Sequence, residues 1–171
     1  MNDPKTNKAD KTAADISYIS ENEKFNFRVC AIILNAGKLL AMHDERSPYF
    51  YLPGGRVKLG ETAEEAVLRE MREELLIDAS VVRPLWLAQS FFNEDVDKLN
   101  YHELCLYFLV DVSATDLLGR GERFTLYEAK HTHEFEWLAF ERLRGEYFYP
   151  LFLKKEIFRL PESFTLITER E

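Results

Sequence analysis

The sequence predicts a layered mixed domain, α/β (α+β) in class, and three observations carry that expectation. Short β-rich apolar stretches recur along most of the chain, each closed by turn residues. One segment, Thr62 to Leu76, has helical periodicity and a written N-terminus. The 171 residues, 46% apolar and 30% charged, suit a single core and are too few for two ordinary ones.

Taken in order, the residues up to about Glu23 are polar and mixed in charge, and read as a flexible lead-in (1–23) with room for one short edge strand at Ile16 to Ile19. The domain is expected to occupy 24–171. Phe27 to Leu34 reads as a strand, Asn35-Ala36-Gly37 as a turn, and Lys38 to Met42 as the returning strand of a hairpin. Tyr49 to Leu52 reads as a third strand, halted by Pro53-Gly54-Gly55. Thr62-Ala63-Glu64-Glu65 has the S/T-x-x-E pattern of a capping box, so a helix begins at Thr62. Strands follow at Ala79 to Phe92 and Tyr101 to Val112, joined by an acidic turn from Asn93 to Asn100, with another at Thr132 to Leu138. Pro150 to Leu160 reads as a final amphipathic helix packed across the sheet.

Composition excludes several classes of function. The net charge of −8 and pI near 5.1 repel the phosphates of DNA or RNA, so a long nucleic acid is not an expected partner. The apolar run Leu104 to Val110 is far shorter than the roughly 18–20 residues of a membrane-spanning helix. The first ten residues have neither an apolar core nor a cleavage site of the secretory kind, and a cytoplasmic location is expected. Cys30 and Cys105 each lie in an apolar stretch without C-x-x-C spacing and read as buried free thiols.

The chemistry concentrates in one segment. Three of the seven glycines, Gly54, Gly55 and Gly60, fall just before the helix, where a loop that presents backbone to a phosphate or metal needs residues without a Cβ. On the helix, at about 100° per residue, Glu73 and Glu74 fall roughly −60° and +40° from Glu70, beside a stripe of Val67, Leu68, Met71 and Leu75. Like charges at these spacings destabilise an isolated helix by a few tenths of a kcal/mol per pair, a cost that a divalent cation removes. A solvated, Glu-rich face laced with Arg69 and Arg72 is the alternative reading of the helix alone.

Gly55, five residues, Glu61, seven residues, then Arg69-Glu70-Met71-Arg72-Glu73-Glu74-Leu75-Leu76-Ile77 resembles the box of the Nudix hydrolases, G-x5-E-x7-R-E-U-x-E-E-x-G-U with U aliphatic. Eight of the nine specified positions match, and Leu76 stands where the family has glycine. The likeness extends from Phe25 to about Leu160 through the flanking hairpin, the Tyr-Leu-Pro-Gly-Gly approach and the Glu136-Trp137-Leu138 strand. It implies an α/β/α sandwich with a central mixed sheet and the box as a loop and helix. It also implies a hydrolase that uses Mg²⁺ or Mn²⁺ to cleave the diphosphate of a nucleoside diphosphate linked to another moiety, by attack of water at phosphorus. The alternative is a nucleotide-binding or regulatory domain on the same fold without catalysis.

By match to the box, Glu70, Glu74, Glu73 and the Gly55 carbonyl are the implied metal ligands, and Arg69 orients the carboxylates and lowers their pKa values. Glu61 is implied to fix the loop. The general base is left open among Glu73, Glu134 and Glu103, with Glu134 placed before Glu103. Arg56 and Lys58 are candidates to hold substrate phosphate, and Tyr49, Tyr51, Phe91, Phe92 or Tyr101 to stack on a base. The implied partner is a small nucleotide-type diphosphate; whether the chain forms a homodimer is left open.

Overall fold

The structure, a computed structural model, describes residues 13–45, 47–94, 98–128 and 131–170. Two sheets form its centre. The first is mixed and has the order β1 (Ser17–Ser20), β2 (Glu23–Ile32), β7 (Asn100–Asp111), β6 (Ser80–Asn93), β10 (Thr165–Arg170), with β5 (Gly54–Arg56) paired to the second half of β2. β2 runs parallel to β7 and β6 parallel to β10; β6 and β7 form a long antiparallel pair. The second sheet is antiparallel, β3 (Leu34–Asn35), β4 (Lys38–Asp44), β9 (His131–Ala139), β8 (Arg123–Glu128).

The long helix α1 (Ala63–Glu74) and the single-turn helices α2 (Phe140–Leu143) and α3 (Leu153–Glu156) complete the layers. Alternation along β2 divides the core between two faces. Val29, Ala31 and Ile33 pack with Val67 and Met71 of α1, with Leu75 just past its end, and with Phe135 and Trp137 of β9. Cys30 and Ile32 face the other way, against Leu143 of α2, Leu153 of α3 and Ile157 just past its end. The expected α/β/α layering with a mixed sheet is therefore present. No helix among the described residues is long and apolar enough to cross a membrane.

Several boundaries differ from expectation, each for a local reason. Residues 1–12 of the expected lead-in lie outside the described residues, but its remainder is built into the fold. Ile16 donates to the Val57 carbonyl, Phe27 to that of Ile16, and β1 pairs antiparallel with the start of β2. The hairpin turns at Ala36 and Gly37, both with positive φ, as a two-residue hairpin turn requires. Its first arm, however, is only Leu34–Asn35. The apolar run before it continues β2 in the other sheet, because both faces of that run are buried. Tyr49–Leu52 makes isolated bridges, Tyr51 to Met42 and Phe50 to Phe148, and is no continuous strand. The expected acidic turn lies partly outside the described residues, at 95–97. Instead of a helix over Pro150–Leu160 there is the one turn of α3, burying Leu153 and Ile157, and the chain goes on to β10. β8 and β10 have no counterpart in the expected elements.

The helix start is as written. Thr62 Oγ1 accepts from the Glu65 amide at 3.1 Å, and Glu65 Oε2 accepts from the Thr62 amide at 2.8 Å. The exit shows what replacing glycine entails. Leu76 adopts φ +56°, the left-handed conformation that a Cβ disfavours, and its side chain is 64% exposed. Leu76→Gly relieves that strain and gives up little packing, against a larger unfolded-state entropy. A gain of about 0.5–1 kcal/mol is expected, read as a higher melting temperature with turnover retained.

Candidate active site

The glycine loop is seated against β2 by contacts that exclude side chains. The Ala31 amide donates to the Pro53 carbonyl, and the register pairs Cys30 with Gly54, Val29 with Gly55 and Arg28 with Arg56. A Cβ on Gly54 would fall 2.1 Å from the Val29 carbonyl oxygen, and the φ of Gly54 is +149°. A Cβ on Gly55 would fall 2.2 Å from Oε1 of Glu70. Both glycines thus let backbone meet what a side chain would displace, the strand at Gly54 and a carboxylate at Gly55.

The helix brings its acids to this loop. Glu74, 7% exposed, accepts the Gly54 amide on Oε2 at 2.8 Å, and Glu70, 8% exposed, lies under Gly55. Glu73, one turn along, is exposed. Arg69 holds the group together. Its Nε and Nη2 grip both oxygens of Glu61 at 2.7 and 3.0 Å, its Nη1 lies 2.6 Å from Glu70 Oε1 and 2.9 Å from Glu73 Oε2, and Nη2 also donates to the Arg56 carbonyl at 3.0 Å. Glu61 in turn accepts the Lys58 amide at 3.0 Å. One guanidinium therefore ties the loop to the helix by charge-assisted bonds.

The electrostatics separate two acids that Arg69 grips. The hydrogen bond from Arg69 holds the Glu61 carboxyl below its ordinary pKa. At Glu70 the bond from Arg69 also acts downward, as expected for the ligand carboxylates, but burial outweighs it and the pKa is pushed up, which corrects the expected net lowering there. A depressed carboxylate gives stability that is present above its ordinary pKa and is lost as pH falls through the lower, folded value. Glu61→Gln, tested without metal, is therefore expected to lower the melting temperature near neutral pH by roughly 3–6 °C, the effect of about 1–2 kcal/mol in a chain of this size. The gap from wild type should close on acidification through the carboxylate range, and a gap that persists at low pH would contradict the pairing.

These groups border a cleft of about 360 Å³ lined by Asp15, Arg28, Gly55, Arg56, Lys58, Arg69, Glu70 and Glu73. Arg56 and Lys58, the candidates to hold phosphate, both line this cleft. The Arg56 Nε donates to Asn26 Oδ1 at 3.3 Å, and its Nη1 lies 3.4 Å from Asp15 Oδ2. The base candidates are separated. Glu73 lines the cleft. Glu103, on β7, accepts from Asn26 Nδ2 at 3.3 Å and so stands one residue contact away from Arg56. Glu134, on β9, is 3.2 Å from Nε2 of His43 and lines a different depression of about 170 Å³ on the second sheet. The aromatic candidates divide too. Tyr49 and Tyr51 join Tyr147 and Tyr149 in an edge-to-face cluster with centroids 5.1–6.2 Å apart. Phe91, Phe92 and Tyr101 stack across β6 and β7 with His102.

Arg28 and Asp15 were missed from the sequence. For Arg28 a signal exists, a lone charge inside the apolar run Phe27 to Ile33. Asp15 gives none, since it reaches the site through its bridge to Lys58 and its ion pair with Arg56, neither of which the spacing along the chain shows.

Among the described residues no three acidic, imidazole or thiol side chains converge closely enough, as they stand, to enclose a metal ion. The donor set nevertheless fits a hard divalent cation. Glu70 and Glu73 already share one cationic nitrogen, Nη1 of Arg69, and all the side-chain donors are oxygens.

The loop closed on a strand by two glycines and the arginine clamp lie within a segment that matches a known family in sequence. The sequence model of the NUDIX domain matches residues 24–157, and the chain belongs to that family. It is 36% identical over 92 residues to an ADP-ribose pyrophosphatase of Methanocaldococcus jannaschii, a match covering 52% of each chain. Over 77 residues it is 40% identical to a Caenorhabditis elegans protein named as a nudix hydrolase, covering 41% of this chain and 21% of that one. The chain thus spans about half or less of the curated relatives it matches. A solved structure of a NUDIX hydrolase from Nitrosomonas europaea is similar in fold, with a TM-score of 0.52 at 17% identity over 77% of this chain and 85% of that one.

Proposed function

We propose that this chain is a divalent-metal-dependent hydrolase that cleaves the diphosphate linkage of a small nucleoside diphosphate derivative by attack of water at phosphorus. The observation that supports it most is the clamp of Arg69 on Glu61, Glu70 and Glu73 beside Gly55, with Glu74 bonded to the Gly54 amide. Glu70, Glu73, Glu74 and the Gly55 carbonyl would hold Mg²⁺ or Mn²⁺. When bound, such an ion supplies positive charge against the diphosphate oxygens.

The chain's own residues supply position and proton transfer. Arg56 and Lys58 bring positive charge to the cleft that Glu70 and Glu73 also line. Arg69, fully engaged with protein acceptors, sets the carboxylates and does not reach for substrate. Glu73, exposed in the cleft and held through one oxygen only, takes the proton of the attacking water on its other oxygen. Glu103 is the second choice, oriented by Asn26. Glu134, which borders a different depression, is placed after both.

ADP-ribose is the first substrate to try, because a relative carries the name ADP-ribose pyrophosphatase. The test is phosphate release coupled to a phosphatase, over ADP-ribose, nucleotide sugars, NADH, dinucleotide polyphosphates and nucleoside triphosphates, with Mg²⁺, Mn²⁺ or EDTA. Metal-dependent release from at least one member supports the reading. Inertness of the whole panel, with one compound still raising the melting temperature, would favour a binding domain instead.

A further inference from the structure

Arg28 sits in the middle of β2, between Arg56 of β5 and Cys105 of β7 in the sheet register, and its side chain lines the cleft. Its Nε is buried and has no hydrogen-bond partner among the described residues. The other cleft arginines differ. Arg69 donates from all three of its nitrogens and Arg56 from Nε and Nη1. A buried guanidinium donor without an acceptor is rare, because burial removes its water and returns nothing. Burial opposes the charge of Arg28, yet Glu103, then the neighbouring Cys30, Cys105 and Tyr107, shift its pKa upward, so the group stays cationic. Glu70 and Tyr49 also sense its charge.

Resting on the diphosphate reading above, we infer that Arg28 is a substrate-binding residue whose unspent Nε donates to an anionic phosphate oxygen in the cleft. The planar guanidinium suits a non-bridging phosphate oxygen better than an ammonium does. An aromatic base would leave the charge unanswered. Arg56 and Lys58, on the same cleft wall, make the site attractive to an anion before any contact forms. A charged residue within the apolar run Phe27 to Ile33 then has a function that the strand's packing does not supply.

The test uses the intact chain in Mg²⁺, with methylenediphosphonate as a diphosphate that cannot be hydrolysed, titrated calorimetrically into wild type, Arg28→Met and Arg28→Lys. Arg28→Met is expected to weaken binding at least about 10-fold and to raise KM of the best substrate more than it lowers kcat. Its melting temperature without ligand should be unchanged or higher, since an apolar side chain of similar length removes a buried Nε–H that has no acceptor among the described residues. Arg28→Lys should recover part of the affinity. Equal binding by wild type and Arg28→Met overturns the inference. So does a fall in melting temperature with KM unchanged, or wild type that binds no diphosphonate. If Arg28→Met does not fold, an unaltered KM in Arg28→Lys is the overturning result. Binding that depends on Arg28 in a chain inert toward every substrate would uphold the inference and reject the hydrolase. Turnover that ignores Arg28 would do the reverse.

Discussion

Glu70→Gln is expected to lower metal-dependent turnover at least about 10²-fold while the protein stays folded. The amide keeps the volume of the carboxylate under Gly55 and keeps an acceptor for Arg69, but it is a poor ligand for Mg²⁺ and carries no charge. Stability should move the other way. A carboxyl whose pKa is raised on folding contributes stability at acid pH and loses that contribution as pH rises through the folded value. Without metal near neutral pH, the neutral variant should therefore melt at or above wild type. Glu74→Gln should lose activity similarly, with its bond to the Gly54 amide retained by the side-chain carbonyl. Near-wild-type rates in both variants would contradict the metal assignment.

Gly54→Ala should affect the fold instead. A methyl group 2.1 Å from the Val29 carbonyl oxygen and 2.8 Å from the Cys30 Cα meets backbone, which has no rotamer to move aside. The residue must leave φ +149° as well, and both penalties act on the pairing of β5 with β2. A loss of about 3 kcal/mol or more is expected, comparable to severe overpacking combined with backbone strain. Denaturant unfolding measures it. A loss under about 1 kcal/mol would mean that the loop can lift from the strand.

The site was more legible in the sequence than the fold around it, and the reason is spacing. Thr62, Glu65, Arg69, Glu70, Glu73 and Glu74 lie on one helix, where 3.6 residues per turn fix which side chains share a face, and the glycines precede it directly. The division of β2 and β4 between two sheets was not readable, because an apolar run buried on both faces shows no alternation to say where it bends. β10 was missed because its Thr165-Leu166-Ile167-Thr168-Glu169-Arg170 is an edge strand with every second residue exposed, and its partner β6 is over seventy residues away. Pro150–Leu160 shows helical spacing, but of its residues only Leu153 and Ile157 are fully buried, and the helix stops after one turn. Glu103 and Arg28 come near the site through pairing with neighbouring strands, and Glu134, placed before Glu103 from the sequence, pairs into the other sheet.

The central claim is that water attacks phosphorus at this acidic helix when a divalent cation is present. The most direct measurement is mass spectrometry of the products formed from the best substrate in ¹⁸O-labelled water, with Mg²⁺ and with EDTA. The account predicts one labelled oxygen in a phosphate-bearing product, on phosphorus, in Mg²⁺ only, with the label lost in Glu70→Gln. Label on carbon in the non-phosphate part, or equal product in EDTA, would contradict it.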